Sequence, residues 1–292
     1  MAPDLNMPST KVSFDYPLSI TNIGTATALI HLGEPSSPNR INLITDPVFS
    51  PGDTKIEYRG VVINKSDSPA LGLDQLPPID AVLLSHEDHP DNLDDLGRRL
   101  LDGRRVLTTK DGASQLAPRP GVRGLENWET VCLDLGGEGK ARKLDVMATP
   151  CKHLPGGQVV GFIVSSPDGA FGTHADGRPN AIYFSGDTIH LEELGKMKKK
   201  YHIAVAMLNI GKATVSLPGG GADGGGPLQI TMGGDQAAQL AKDIGADVIV
   251  PLHFESWSHF TESETQLAND FAKAGVEDKV LWLKRGVETK IV

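Results

Sequence analysis

Cysteine is almost missing from this 292-residue chain. Cys132 and Cys151 are its only two, so no disulfide framework can staple the fold, and the usage fits a reducing interior. Aromatic residues are equally scarce at 5%, too few for a platform that stacks nucleic-acid bases. Positive charge is in deficit: Lys and Arg total 28 against 37 Asp and Glu, a net −9 that disfavours bulk attraction to phosphate backbones. No window reaches eighteen apolar residues, and the opening MAPDLN has no basic stretch followed by an apolar one. These absences point to a soluble, cytoplasmic protein with a small-molecule substrate and no nucleic-acid or membrane partner. A homo-oligomer stays open.

What is present favours a folded α/β chain rich in turns. Hydrophobic residues make up 39% and charged residues 22%, with 33 glycines and 20 prolines. Strand-like runs occupy 11–14, 26–32, 41–45 and the near-continuously apolar 80–84, DAVLL. Residues 91–101, DNLDDLGRRLL, place Leu93, Leu96 and Leu100 at helical spacing, with acidic side chains where a helix dipole favours them. A strand at 105–109, a short helix near 111–116, and strands near 130–135, 144–148 and 159–165 complete the first half. The second half repeats the grammar: strands at 181–185, 203–208, 247–252 and 280–283, with helices at 235–244 and 262–274. No long linker divides the chain, so one domain spanning 1–292, with its core at about 20–283, is the economical reading. The segment 218–227, PGGGADGGGP, lacks the Lys-Ser/Thr of a phosphate loop and reads as a flexible loop or a lid.

The chemistry concentrates in 83–94, LLSHEDHPDNLD. An apolar strand runs directly into His86, Glu87, Asp88, His89 and Asp91, five metal-type ligands within six residues. A turn at the end of a buried strand aims imidazoles and carboxylates at one spot, which is what a divalent cation requires. Three more strand-like runs end in a single ligand-type residue: His153 after VMATPCK, Asp187 within GDT, and His253 after VIVPL. Each alone is ordinary.

Taken in order, these four sites resemble the metallo-β-lactamase fold, whose signature is a His-x-His-x-Asp-His cluster, a single His, an Asp in a Gly-Asp-Thr turn, and a last His. The flanks are most similar to L-ascorbate-6-phosphate-lactonase-like hydrolases and N-acyl-phosphatidylethanolamine phospholipase D relatives. They match through ATALIH (26–31), LITDPVFS (43–50), LPPIDAVLLS (76–85), IYFSGDT (182–188), ITMGGDQAA (230–238) and VPLH (250–253). The wording SHEDHPDNLD is similar to fungal members. The resemblance implies an α/β four-layer αββα sandwich. It implies one cation among His86, His89 and His153, and a second among Asp91, Asn92 and His253, with Asp187 between them. Zn²⁺ is the implied ion.

The cluster departs from the family pattern by one extra residue. His89, Asp91 and Asn92 fall on the second His, the Asp and the last His, while the first His is His86 through a bulge or gives way to Glu87 or Asp88. Asn92 offers only a neutral amide oxygen, so the second site is expected to be weaker, with Mn²⁺ competing. The implied reaction is hydrolysis of an ester or lactone: a bound cation lowers the pKa of its water toward about 7, and Asp91 orients the nucleophile or takes its proton. A phosphodiesterase, or a silent homologue disabled by Asn92, is the alternative. His190, three residues past Asp187, is assigned to the substrate side as a second catalytic candidate, and His259 in ESWSHF is a further one. His31 and His202 read as structural, His174 as exposed, and Cys151 as a small buried residue. Asp46, in Thr-Asp-Pro, either holds a ligand histidine or caps a turn.

Overall fold

The computed structural model describes residues 11–58, 60–154, 156–216 and 227–292. The first half supplies β1 (Leu18–Gly24), β2 (Thr27–Leu32), β3 (Ile41–Thr45), the hairpin β4 (Lys55–Tyr58) and β5 (Val61–Asn64), and β6 (Ala81–Leu83). It continues with α1 (Asp95–Leu100), β7 (Arg105–Thr109), α2 (Lys110–Gln115) and β8 (Val122–Leu125). The second half supplies β9 (Thr130–Asp134), β10 (Lys143–Pro150), β11 (Val160–Ser165), β12 (Asn180–Phe184) and β13 (His202–Asn209). The short pair β14 (Thr214–Val215) and β15 (Leu228–Gln229) follows, then α3 (Gly234–Ile244), β16 (Val248–Leu252), α4 (Glu264–Ala274) and β17 (Thr289–Lys290).

Two mixed sheets result, ordered β17-β1-β2-β3-β6-β7-β8 and β16-β13-β12-β11-β10-β9. Their facing sides share one apolar layer, with Ile20, Ile30, Leu43, Leu83 and Leu107 meeting Val146, Phe162, Ile182, Met207 and Val250. The outer face of the first sheet packs Ile44, Val82 and Val106 against Leu93, Leu100 and Leu116 of α1, α2 and their flanks. The outer face of the second packs Tyr183, Ile203 and Ile249 against Ala237, Leu240, Leu267 and Phe271 of α3 and α4. Helix, sheet, sheet, helix: this is the metallo-β-lactamase sandwich. Strands apolar on both faces read as continuous hydrophobic runs for this reason.

The helices start and stop where their ends are satisfied. Ser263 and Gln266 form a capping box on α4, and Gly245 and Gly275 close α3 and α4 in the left-handed conformation. Three expectations need correction. Residues 11–14 form no strand; Phe14 instead buries its ring 4.6 Å from that of Phe171. The helix expected from Asp91 begins only at Asp95, because Asp94 is its N-cap, accepting from Gly97 N, while its other oxygen takes the Phe49 and Ser50 amides. Residues 280–283 contribute a single bridge, Val280 to Ile249, rather than a strand. The glycine-rich segment 218–227 lies outside the described residues except for Pro227. Among the described residues, no helix is long and apolar enough to cross a membrane.

Candidate metal centre

The ends of β6, β10, β12 and β16 arrive at one rim of the sandwich and deliver all six candidate ligands, each buried. Two sets form, each with its ligand atoms within 4.8 Å of one another: His86, His89 and His153; and Asp91, Asp187 and His253. In the first, His89 Nδ1 faces His86 Nε2 at 3.0 Å and His153 Nε2 at 2.9 Å. In the second, His253 Nε2 lies 3.5 Å from Asp187 Oδ2 and 3.7 Å from Asp91 Oδ2. Asp187 Oδ2 is also 3.9 Å from His153 Nε2, which places it between the sets.

The extra residue of the cluster is absorbed without losing the first histidine. His86 joins the triad, whereas the Glu87 carboxylate is taken by Arg98 at 3.0 Å and Asp88 accepts from Gly157 N. The close approach of the two sheets here demands small residues. A Cβ on Gly186 would fall 2.8 Å from Ser85 Cβ and 2.7 Å from Val160 O, so glycine must precede Asp187. Asp46 (φ 26°) and His253 (φ 73°) are non-glycine residues held in the left-handed region, local strain of the kind that collects at functional sites.

A layer of hydrogen bonds fixes three of the candidates, His86, His153 and Asp187. Asp46 accepts from Ser85 N (2.6 Å), Ser85 Oγ (2.7 Å) and Asn92 Nδ2 (3.0 Å), and Ser85 Oγ in turn meets His86 Nδ1 at 2.8 Å. With its proton given to Asp46, Ser85 accepts from Nδ1–H, which leaves the His86 Nε2 lone pair facing inward. His153 Nδ1–H donates to Ile230 O at 2.7 Å with the same consequence, and Asn209 Nδ2 holds Asp187 Oδ1 at 2.7 Å. Of the two roles the sequence allows Asp46, the structure shows it behind a candidate ligand, bonded to Ser85, whose hydroxyl meets His86. Ser85, Asn209 and the Ile230 carbonyl were not foreseen. Only the adjacency of Ser85 to His86 carried any signal.

The electrostatics suit cation binding. Burial drives His86 down to about 3, with His89 adding to the effect, and burial lowers His153 against the pull of Asp187. Both imidazoles are therefore neutral, with lone pairs available. Burial pulls Asp91 and Asp187 upward, but nearby imidazoles prevail (His259 and His253 for Asp91; His253, His153 and His86 for Asp187), and both end below the usual carboxylate range. For His253, burial acts downward and is outweighed by Asp187 and Asp91, so it rises. Burial pushes Asp46 up to about 7 in spite of its three donors.

The donors fit a bound divalent metal. Asp91 and Asp187 are buried ionised groups whose ion partners among the described residues are histidines only, and a buried charge without a full counter-charge is costly. Asn92 Oδ1 and both ring nitrogens of His253 are buried without a hydrogen-bond partner. A cation would give the two carboxylates their counter-charge and the Asn92 oxygen and one His253 nitrogen a partner.

Of the remaining histidines, all but His259 go elsewhere. His190 Nε2 is held by Asp243 of α3 at 2.8 Å and joins neither set. His31 bridges Thr21 and Asn42 inside the first sheet, and His202 pairs with Asp247 while stacking on the part-exposed His174. The Cys151 thiol donates to Ser185 O at 3.3 Å. His259 lies at the site, 3.3 Å from Asp91 Oδ2.

Comparison with known proteins agrees with this geometry. A UPF0173 metal-dependent hydrolase of Methanopyrus kandleri is 24% identical over 256 residues, 84% of this chain and 90% of its own length. The isothiocyanate hydrolase from Delia radicum gut bacteria superposes with a TM-score of 0.68 at 19% identity, over 93% of this chain and 98% of that one. Igni18, a metallo hydrolase from Ignicoccus hospitalis, gives 0.64 at 20% identity, over 94% and 98%. A family model described as a beta-lactamase superfamily domain matches residues 41–254, a span that contains all six residues of the two sets. The chain belongs to the beta-lactamase superfamily.

Proposed function

We propose that the protein is a metal-dependent hydrolase acting on an ester or lactone carbonyl of a small molecule. The observation that carries the reading is the convergence of two candidate ligand sets on one buried rim, with His86, His153 and Asp187 each oriented by a second residue. A divalent cation bound there supplies Lewis acidity and a water acidified toward neutral pH. The chain does the rest. Ser85 and Ile230 O keep the His86 and His153 lone pairs inward, and Asn209 fixes Asp187. Asp91, held ionised, orients or deprotonates the nucleophile through its carboxylate. His190, steadied by Asp243, is assigned to the substrate side.

Three imidazoles in the first set favour Zn²⁺. The second set, with two carboxylates and one imidazole, is harder and admits Mn²⁺ in competition. The choice of a carbonyl substrate over a phosphodiester rests on the lactonase-like flanks and on the acidic chain, and is an argument by analogy. The relatives named above are archaeal and bacterial; the fungal likeness rests on the wording of 85–94 alone. A cleft of about 230 Å³ beside His153, lined in part by Lys152, Leu154 and Gln158, suits a small substrate. The test is turnover on a panel of lactones, carboxylic esters and bis-p-nitrophenyl phosphate, with His89→Ala and His153→Ala as controls. Carbonyl turnover abolished in both folded variants supports the reading. Turnover confined to the phosphodiester, or unchanged in both variants, defeats it.

A further inference from the structure

The motif resembles a family pattern with histidine where this chain has Asn92, and the structure shows how firmly Asn92 is committed. Its Nδ2 donates to Asp46 Oδ2 at 3.0 Å, so only a neutral amide oxygen is left for any cation. The second set by itself therefore holds one imidazole, that of His253. A second imidazole stands on the same carboxylate. His259 Nε2 lies 3.3 Å from Asp91 Oδ2, the oxygen that His253 Nε2 approaches at 3.7 Å. A tetrahedral ion with bonds of about 2.1 Å sets neighbouring ligand atoms about 3.4 Å apart, so each imidazole is spaced from Asp91 Oδ2 as a fellow ligand would be.

His259 is placed by a built segment. Its carbonyl accepts from Thr214 N at 3.0 Å, Phe260 bridges Ala213, and Ser258 and Asn64 exchange two hydrogen bonds across to β5. The Phe260 ring lies 4.7 Å from each of the His253 and His259 rings, at matching tilts of 51° and 50°, so one phenyl group wedges both imidazoles. The His259 side chain is 9% exposed, and its Nδ1 is buried without a partner. Residue 259 also lies beyond the 41–254 span matched by the family model.

We propose that His259 is a ligand of the second cation site, supplying from the loop after β16 the imidazole that the cluster lacks at Asn92. The inference rests on the two-cation reading above and changes one of its terms. With two imidazoles and two carboxylates, the second site favours Zn²⁺ and is held nearly as firmly as the first.

The experiment is equilibrium dialysis of metal-stripped protein against buffered Zn²⁺, with metal counted per chain, and titration with Co²⁺ alone followed by visible absorption. The proteins are wild type, His259→Ala, His259→Gln and the double variant Asn92→His/His259→Ala. Wild type should hold two ions. Both single variants should keep one and bind the second more than tenfold more weakly, with a changed Co²⁺ spectrum for that ion. The double variant should recover both affinity and spectrum. If wild type holds two ions and both single variants hold them with unchanged affinity and spectrum, the assignment of His259 fails while the metal-centre reading stands. If wild type itself holds fewer than two, the two-cation reading fails and the assignment falls with it.

Discussion

Replacing Asp46 by Asn should disarm the first ligand set without touching a ligand. In the native chain, Asp46 Oδ2 accepts from Ser85 Oγ and from Asn92 Nδ2, while Oδ1 accepts from Ser85 N. An amide can copy only one of these oxygens. With its carbonyl kept on Ser85 N, its NH₂ meets the Ser85 hydroxyl and the Asn92 NH₂, two donors in the wild type. Ser85 must then turn its proton onto His86 Nδ1, 2.8 Å away, which forces the ring into the Nε2–H tautomer and blocks the inward lone pair. The opposite flip sets NH₂ against Ser85 N–H. Disturbing a partner behind a ligand typically lowers metal affinity by about 10–100-fold, roughly 1.4–2.7 kcal/mol. Leaving Asn92 Nδ2 buried and unpaired costs folding stability about 1–3 kcal/mol. Zn²⁺ competition against a chromophoric chelator measures the first effect and urea unfolding of the metal-free protein the second. Ser85→Ala, which removes the relay itself, should shift affinity in the same direction. If Asp46→Asn binds Zn²⁺ as wild type does, the chain of orientation from Asp46 to His86 is wrong.

Further outcomes follow from the same geometry. The metal-free protein carries a pH signature at Asp46: its carboxyl rises from 3.8 to about 7 on folding, so the stability it contributes is full below pH 4 and is lost as pH rises through 7. Relative to Asp46→Asn, wild type should lose up to about 4 kcal/mol between pH 4 and 7 in unfolding titrations. His86, lowered to about 3, acts in the opposite sense in both proteins, so a gap that widens with pH would contradict the assignment. Gly97→Ala would place a Cβ 1.8 Å from Pro47 O, and urea unfolding should show a loss of about 1–3 kcal/mol or more as α1 is pushed off the turn after Asp46; an unchanged midpoint would mean the packing there is slack. Asp94→Ala strips the cap of α1 and the acceptor of the Phe49 and Ser50 amides, and should cost about 3 kcal/mol in the same assay. His190→Ala should leave metal content intact while lowering kcat/KM by about tenfold or more; lost metal would move His190 into the centre.

The two candidate ligand sets were legible in the sequence because their residues follow short apolar strands, and such strands end at a shared rim once two sheets stack. His86, His89, Asp91, His153, Asp187 and His253 announce themselves in this way. The residues that orient them do not. Asn209 is one more polar residue at a strand end, and Ile230 contributes a carbonyl that every residue has. His259 was visible only as a histidine near the last ligand, since contact with Asp91 depends on a loop wedged by Phe260. Among the elements, 11–14 and 280–283 carry strand-like patterns that bury side chains without finding a ladder. The helix expected from Asp91 starts four residues later because acidic side chains just before a helix also suit a cap, as Asp94 does, or a metal-type cluster, as Asp91 does. Strand β1 was missed because LSITNIG mixes polar side chains into a buried run.

The most direct test of the account is diffraction from crystals grown with Zn²⁺, collected on both sides of the zinc absorption edge. The account predicts anomalous density among His86, His89 and His153, and a second peak among Asp91, Asp187 and His253. No anomalous density at this rim, or zinc bound only at surface carboxylates, would contradict it.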